Sequence, residues 1–214
     1  MTTLKWKEGM VIRLWAKGDL WTLAQMLLPP YLFFWDGLLL RRKHELPRTP
    51  IKAGSNSFCC PILRQVLNFC CAERAAGLSP IEVQLPEMWI DANTDWEEVT
   101  VFRGSPIERT FGTLGGGRGG ALIRKNFNPP FDKTIIIDPI DPEDFQTIDG
   151  YECDSLWGSP RLNERLWLSS QLGKLVDPFK DMLFGRDLPP VFQTFVRMSS
   201  GDGDLEDWGY GVRP

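Results

Sequence analysis

The sequence predicts an α+β, mostly β chain, built as a curved antiparallel sheet or partly open barrel with two inserted helices at about 61–76 and 161–172. Three observations predict it. Apolar runs of five to eight residues alternate with turn residues over 5–40. Ile81, Val83 and Leu85 alternate strictly with Glu82 and Gln84, the period of a half-buried strand. Two further segments repeat apolar residues at helical spacing, each with a proline at its start and a glycine just past its end. At 214 residues, 43% hydrophobic and 12% aromatic, the chain can bury a sizeable core and lies far from disordered compositions. One domain over 1–198 is expected, followed by an acidic, mobile tail over 199–214.

The elements follow in chain order. Residues 10–15 and 20–27 form a hairpin around Lys17, Gly18 and Asp19, and a third strand over 31–35 follows Pro29 and Pro30. The polar, breaker-rich stretch 41–57 reads as a loop that holds the single histidine, His44. From 61 to 76, Leu63, Val66, Leu67 and Cys70 keep helical spacing, Pro61 suits the first turn and Gly77 stops the helix. Strands are expected over 81–85 and 99–102, the glycines of 112–120 form a hairpin turn or surface loop, and Ile135, Ile136 and Ile137 form a short buried strand. Thr147 and Ile148 run into an Asp149-Gly150 turn. The second helix spans 161–172, with Ser159 as cap, Pro160 at its first position and Gly173 beyond its end. Pro189 to Val196 reads as a last strand.

Charge and cysteine usage bound the function. The net charge of −4 opposes a general nucleic-acid binder. It is unevenly spread: residues 1–125 carry +4 and residues 126–214 carry −8. No export signal is expected, since Glu8, Gly9, Arg13 and Lys17 interrupt the apolar run that a leader requires. Pro29, Pro30, Asp36 and Gly37 break the apolar stretch 20–40, so no membrane partner is expected. Five cysteines, an odd number, suit reduced thiols in a cytoplasm. Cys59-Cys60 and Cys70-Cys71 suggest four zinc thiolates, but zinc sites separate paired ligands by two to four residues; the adjacent pairs read as small core hydrophobes, and no metal is assigned.

Candidate chemistry is sparse. Gly115, Gly117 and Gly120 satisfy G-x-G-x-x-G, yet the residues beyond them run into Pro129-Pro130 rather than a long helix that would receive a pyrophosphate. Val101-Phe-Arg103-Gly104 has a faint likeness to the strand that opens some ADP-ribosyltransferase sites, and an enzyme using NAD or another nucleotide through Arg103 is the alternative reading. His44 has no apparent nucleophile, and no catalytic residue or cofactor is assigned. The segment 138–154 is the informative one, with Asp138, Asp141, Glu143, Asp144, Asp149, Glu152 and Asp154 and no Lys or Arg. It reads either as a solvated loop or as a partner surface whose field accelerates encounter with a basic protein, with Phe145, Tyr151 and Trp157 as apolar anchors.

A family resemblance favours the second. Lys5-Trp-Lys-Glu-Gly9-Met-Val-Ile-Arg-Leu14, the Gly18-Asp19 turn, Leu20-Trp-Thr-Leu-Ala-Gln25 and Tyr31-Leu-Phe-Phe-Trp35 resemble the start of the immunity protein 26 family of bacterial polymorphic-toxin systems. Val101-Phe-Arg-Gly-Ser-Pro-Ile107, Phe111-Gly112, Pro129-Pro130-Phe131 and Asp138-Pro139 extend the likeness in patches over about 5–170, while 61–76 has no counterpart in that pattern. The resemblance implies a mostly β, non-enzymatic cytoplasmic protein that binds a cognate toxin domain stoichiometrically and blocks its active site or substrate groove. Many such toxins are nucleases with basic grooves, which an acidic segment would occupy in place of phosphate.

Overall fold

The computed structural model describes residues 4–36, 40–47, 54 and 56–211. Parts of the expected 41–57 loop, part of the 20–40 stretch and the last three residues of the tail lie outside them. The chain is α+β and mostly β, and every pairing between its strands is antiparallel. The strands are β1 (Val11–Lys17), β2 (Leu20–Met26), β3 (Tyr31–Phe34), β4 (Arg41–Arg42), β5 (Phe58–Pro61), β6 (Glu73–Arg74), β7 (Met88–Ala92), β8 (Trp96–Val101), β9 (Arg109–Leu114), β10 (Gly120–Asn126) and β11 (Asp132–Ile137). The helices are α1 (Gln65–Phe69), α2 (Phe145–Gly150), α3 (Arg161–Leu172), α4 (Pro178–Leu183) and α5 (Gln193–Ser200). The chain divides into two compact units: Met1–Leu85 with Leu156–Val176 and Gly201–Pro214, and Pro86–Ser155 with Asp177–Ser200.

The first unit is a six-stranded sheet in the order β5-β3-β2-β1-β6, with β4 also pairing β2, and it does not close into a barrel. Gly18 supplies the left-handed residue (φ 57°) that turns β1 into β2, and Trp15 Nε1 donates to the Gly18 carbonyl at 2.8 Å. Ile12, Leu14, Trp15, Leu23, Met26, Leu32 and Phe34 are buried, the main source of folding free energy in this unit. Helix α3 has the span the sequence predicts and is closed by Gly173 in the left-handed region (φ 63°), but Pro160, not Ser159, stands at its N-cap and no side chain caps it; the helix packs on β1. Its Asn163 donates to the carbonyls of Trp15 and Ala16 at 2.9 and 3.0 Å, where the β1–β2 register slips.

The tail is drawn into this unit. Tyr210 is fully buried, and its hydroxyl donates to Glu164 Oε2 at 2.7 Å; Lys17 Nζ lies 2.7 Å from the same oxygen. Arg165, also buried, sits over the Phe58 and Trp157 rings and donates to the Val176 carbonyl at 3.0 Å.

The second unit holds a three-stranded sheet, β11-β10-β7, and the β8–β9 hairpin, with α2, α4 and α5. Gly120 lies so close to the Asp91 carbonyl on β7 that a side chain there would collide with backbone. Ile90, Trp89, Ile123, Ile148, Cys153, Leu183, Phe195 and Val196 are buried here.

Several expected elements differ. The helix over 61–76 is a single turn, α1, flanked by β5 and β6; Phe58 to Pro61 pair with β3, and Cys71 leaves the turn at φ 47°. Residues 81–85 form no strand; at their start the Gln25 side-chain amide bonds both the N–H and the carbonyl of Ile81, at 3.0 and 2.9 Å. The strand expected over 189–196 is a 3-10 turn leading into α5; Phe192, Phe195 and Val196 are buried at helical spacing, not alternation. Thr147 and Ile148 lie inside α2. The Ile135 strand exists, but it is not buried: all six residues of β11 are exposed. The glycine-rich stretch joins β9 to β10, which pair with different strands, so it is a connecting loop and not a hairpin turn.

Candidate partner-binding surface

In the second unit, residues 138–154 leave the end of β11, form α2 and return beside β7. Buried Ile140 anchors the start, its N–H donating to the Gly120 carbonyl at 2.9 Å. Asp144 caps α2, accepting from Thr147 N at 3.0 Å, and the hydrogen bonds from the Thr147 side chain and backbone hold its carboxyl below the usual range. Buried Ile148 and Cys153 fix the rest; Ile90 N donates to the Glu152 carbonyl at 2.9 Å and Asp154 N to the Ile90 carbonyl at 2.8 Å.

The ten residues singled out by the sequence divide into groups. Asp138, Asp141, Glu143, Phe145 and Asp149 are exposed. Asp149 pairs with Arg186 at 2.7 Å, and that guanidinium also lies over the Phe145 ring. Asp144, Tyr151, Glu152 and Asp154 are half-buried. Of these, Asp154 is neutralised by Lys125 at 2.8 Å, and the Tyr151 carbonyl accepts from Lys180 Nζ at 2.9 Å. Trp157 is buried in the first unit over Arg165 and offers no surface anchor. The acid open to solvent and outside any described ion pair is therefore Asp138, Asp141 and Glu143, spaced over the six residues that follow β11.

What sequence reasoning missed is the apolar neighbour of that acid. Phe131 is 70% exposed, Ile135 58%, Ile136 43% and Ile137 38%. Successive strand residues point to opposite faces, so both faces of β11 are open. An unbroken isoleucine run normally marks a fully buried strand, and only the flanking Pro129, Pro130 and Pro139 hinted at a sheet edge.

Gly115, Gly117 and Gly119 take left-handed conformations in a loop that runs into β10, so no helix N-terminus follows them to receive a phosphate. Arg103 is exposed and donates to the Thr100 carbonyl at 3.3 Å. His44 is exposed, 3.7 Å from Glu45. Cys59 and Cys60 are successive residues of β5 and so face opposite ways; burial pushes the Cys70 thiol up to about 12, the reverse of an activated nucleophile. Among the described residues no group of three His, Cys, Asp or Glu is placed to hold a metal ion. Among them, too, no helix is long and apolar enough to cross a membrane.

None of the curated proteins or solved structures compared with the chain matches it. Residues 1–188, which include the acidic segment and β11, match a family of proteins described as a domain of unknown function, DUF8309, and the chain belongs to that family.

Proposed function

We propose that this protein is a non-catalytic binding protein of the cytoplasm that neutralises a toxin by stoichiometric association, covering the toxin's active site or substrate groove. The observation that carries this reading is the open acid of Asp138, Asp141 and Glu143 set directly after the open apolar strand β11. Charge of one sign steers a basic partner toward the surface and governs the association rate. Exposed ion pairs contribute only about 0 to 1 kcal/mol each, so tight binding also needs a desolvated apolar centre, which Phe131 and Ile135 to Ile137 can supply. The resemblance to immunity protein 26 supplies the identity of the partner class, a toxin domain with a basic, nuclease-like groove.

The test replaces Asp138, Asp141 and Glu143 together by Lys, leaving the helix cap Asp144 intact, in cells that express the toxin encoded beside this gene. Loss of protection with an unchanged melting temperature is expected. Protection equal to wild type means that this face is not the one that meets the toxin.

A further inference from the structure

We propose that the outer edge of β11 takes up an extended segment of the partner as an added strand, one with alternating apolar side chains and Lys or Arg at its ends. This rests on the reading of the chain as a macromolecular binding protein and specifies how the partner is held. The geometry is that of an open sheet edge. β11 is the last strand of the β11-β10-β7 sheet, and among the described residues no strand pairs with its other side. An unpaired edge presents a row of N–H and C=O groups that an incoming strand can satisfy, and such main-chain pairing supplies affinity while side-chain sites supply selectivity.

Three features limit what the edge accepts. Pro130 and Pro139 bracket it, and proline cannot donate to a ladder, so pairing is confined to 131–138. The register slip between Leu122 and Ile123 leaves Ile136 without an opposite residue on β10, which twists the edge and disfavours long, flat, indiscriminate pairing. Asp132 stands at one end of the strand, and Asp138, Asp141 and Glu143 at the other, while the one cation on the strand, Lys133, is held by Asp91 at 2.6 Å.

Charge decides the occupant. Pairing β11 with β11 of a second copy, antiparallel about Ile135, sets Asp132 against Asp138 at both ends, and like charges placed opposite each other destabilise a strand pair. An apolar strand with basic ends meets carboxylates at both ends and isoleucines between them.

The test uses the full chain and seven-residue peptides that alternate valine and threonine. One peptide has lysine at both ends, one has glutamate at both ends, and one carries the lysine ends with alternate amides methylated. Hydrogen exchange of the β11 amides and peptide affinity are measured together. The lysine-ended peptide is expected to slow exchange along 132–137 and to bind at least tenfold more tightly than the other two. The Ile135→Lys/Ile137→Lys variant, altered only at exposed positions, is expected to keep its melting temperature and lose the binding. Equal affinity for all three peptides, or no protection of β11, overturns the proposal. So does a concentration-dependent dimer whose β11 amides are protected without peptide, which assigns the edge to a second copy. The toxin-protection assay separates the two claims. If reversal of the three acids abolishes protection while Ile135→Lys/Ile137→Lys preserves it, strand addition is wrong and the binding function stands. If neither changes protection, both fall.

Discussion

Replacing Asp181 by Asn in the second unit should stabilise the protein at neutral pH. Asp181 lies in the first turn of α4, close to Asp177, the residue that caps the helix by accepting from Lys180 N at 3.0 Å. Burial, aided by the Asp177 charge, pushes the Asp181 carboxyl up to about 6 from its ordinary 3.8; Arg186, at 3.4 Å, and Lys180 offset only part of this. The sign follows from proton counting. Between about pH 4 and pH 6 the folded chain holds this proton while the unfolded chain has released it, so stability is highest below 3.8 and falls as pH rises through about 6. At ~1.36 kcal/mol per pH unit the full penalty is ~3 kcal/mol. With the side chain 23% exposed and Arg186 beside it, about 1 to 3 kcal/mol is the reasonable range. The amide of Asp181→Asn keeps an acceptor for Arg186, whose shorter contact with Asp149 at 2.7 Å is untouched. Urea titrations of both proteins at pH 4, 5, 6 and 7 read the difference directly. The variant should gain stability on wild type as pH rises and level off above pH 6. A variant less stable than wild type at pH 7, or a difference that does not change with pH, would refute the reasoning.

Tyr210→Phe removes one hydrogen bond to the buried Glu164 carboxylate, leaving Lys17 as its described partner, and should cost about 1.5 to 3 kcal/mol in a thermal or urea melt. A cost below about 0.5 kcal/mol would mean that the last described residues are not docked as they are seen. In native protein at pH 8 an iodoacetamide label should leave Cys70 unmodified, because it is buried with its thiol pushed up to about 12, and should reach it once urea is added.

Much of the first unit is written locally in the chain. Lys17, Gly18 and Asp19 mark the β1–β2 turn between strongly apolar runs, and Pro160 and Gly173 bracket α3 closely enough to give its span. The elements that could not be read depend on distant partners. Gln25 holds the Ile81 backbone from 56 residues away, and β3 pairs with Phe58 to Pro61, at the expected start of the 61–76 helix. Pro189 to Val196 mixes both periods, and only burial of Phe192, Phe195 and Val196 together selects the helix. At the surface, the acids of 138–143 were legible because closely spaced carboxylates without basic neighbours in sequence rarely go inside. The neutralisation of Asp149 and Asp154 was not, because Arg186 and Lys125 come from other segments. Trp157 and Ile135 to Ile137 exchange the roles that composition suggested, since a tryptophan near acids looks like an anchor and an isoleucine run looks like core.

The central claim is that open acid after an open apolar strand captures a basic macromolecule. Stopped-flow association of the purified chain with the protein encoded by the adjacent open reading frame, across a range of sodium chloride concentrations, tests it most directly. The account predicts an association rate that falls steeply with salt, a dissociation rate that barely changes, and loss of the salt dependence when Asp138, Asp141 and Glu143 are replaced by Lys. An association rate that is indifferent to salt and to those three substitutions would contradict it.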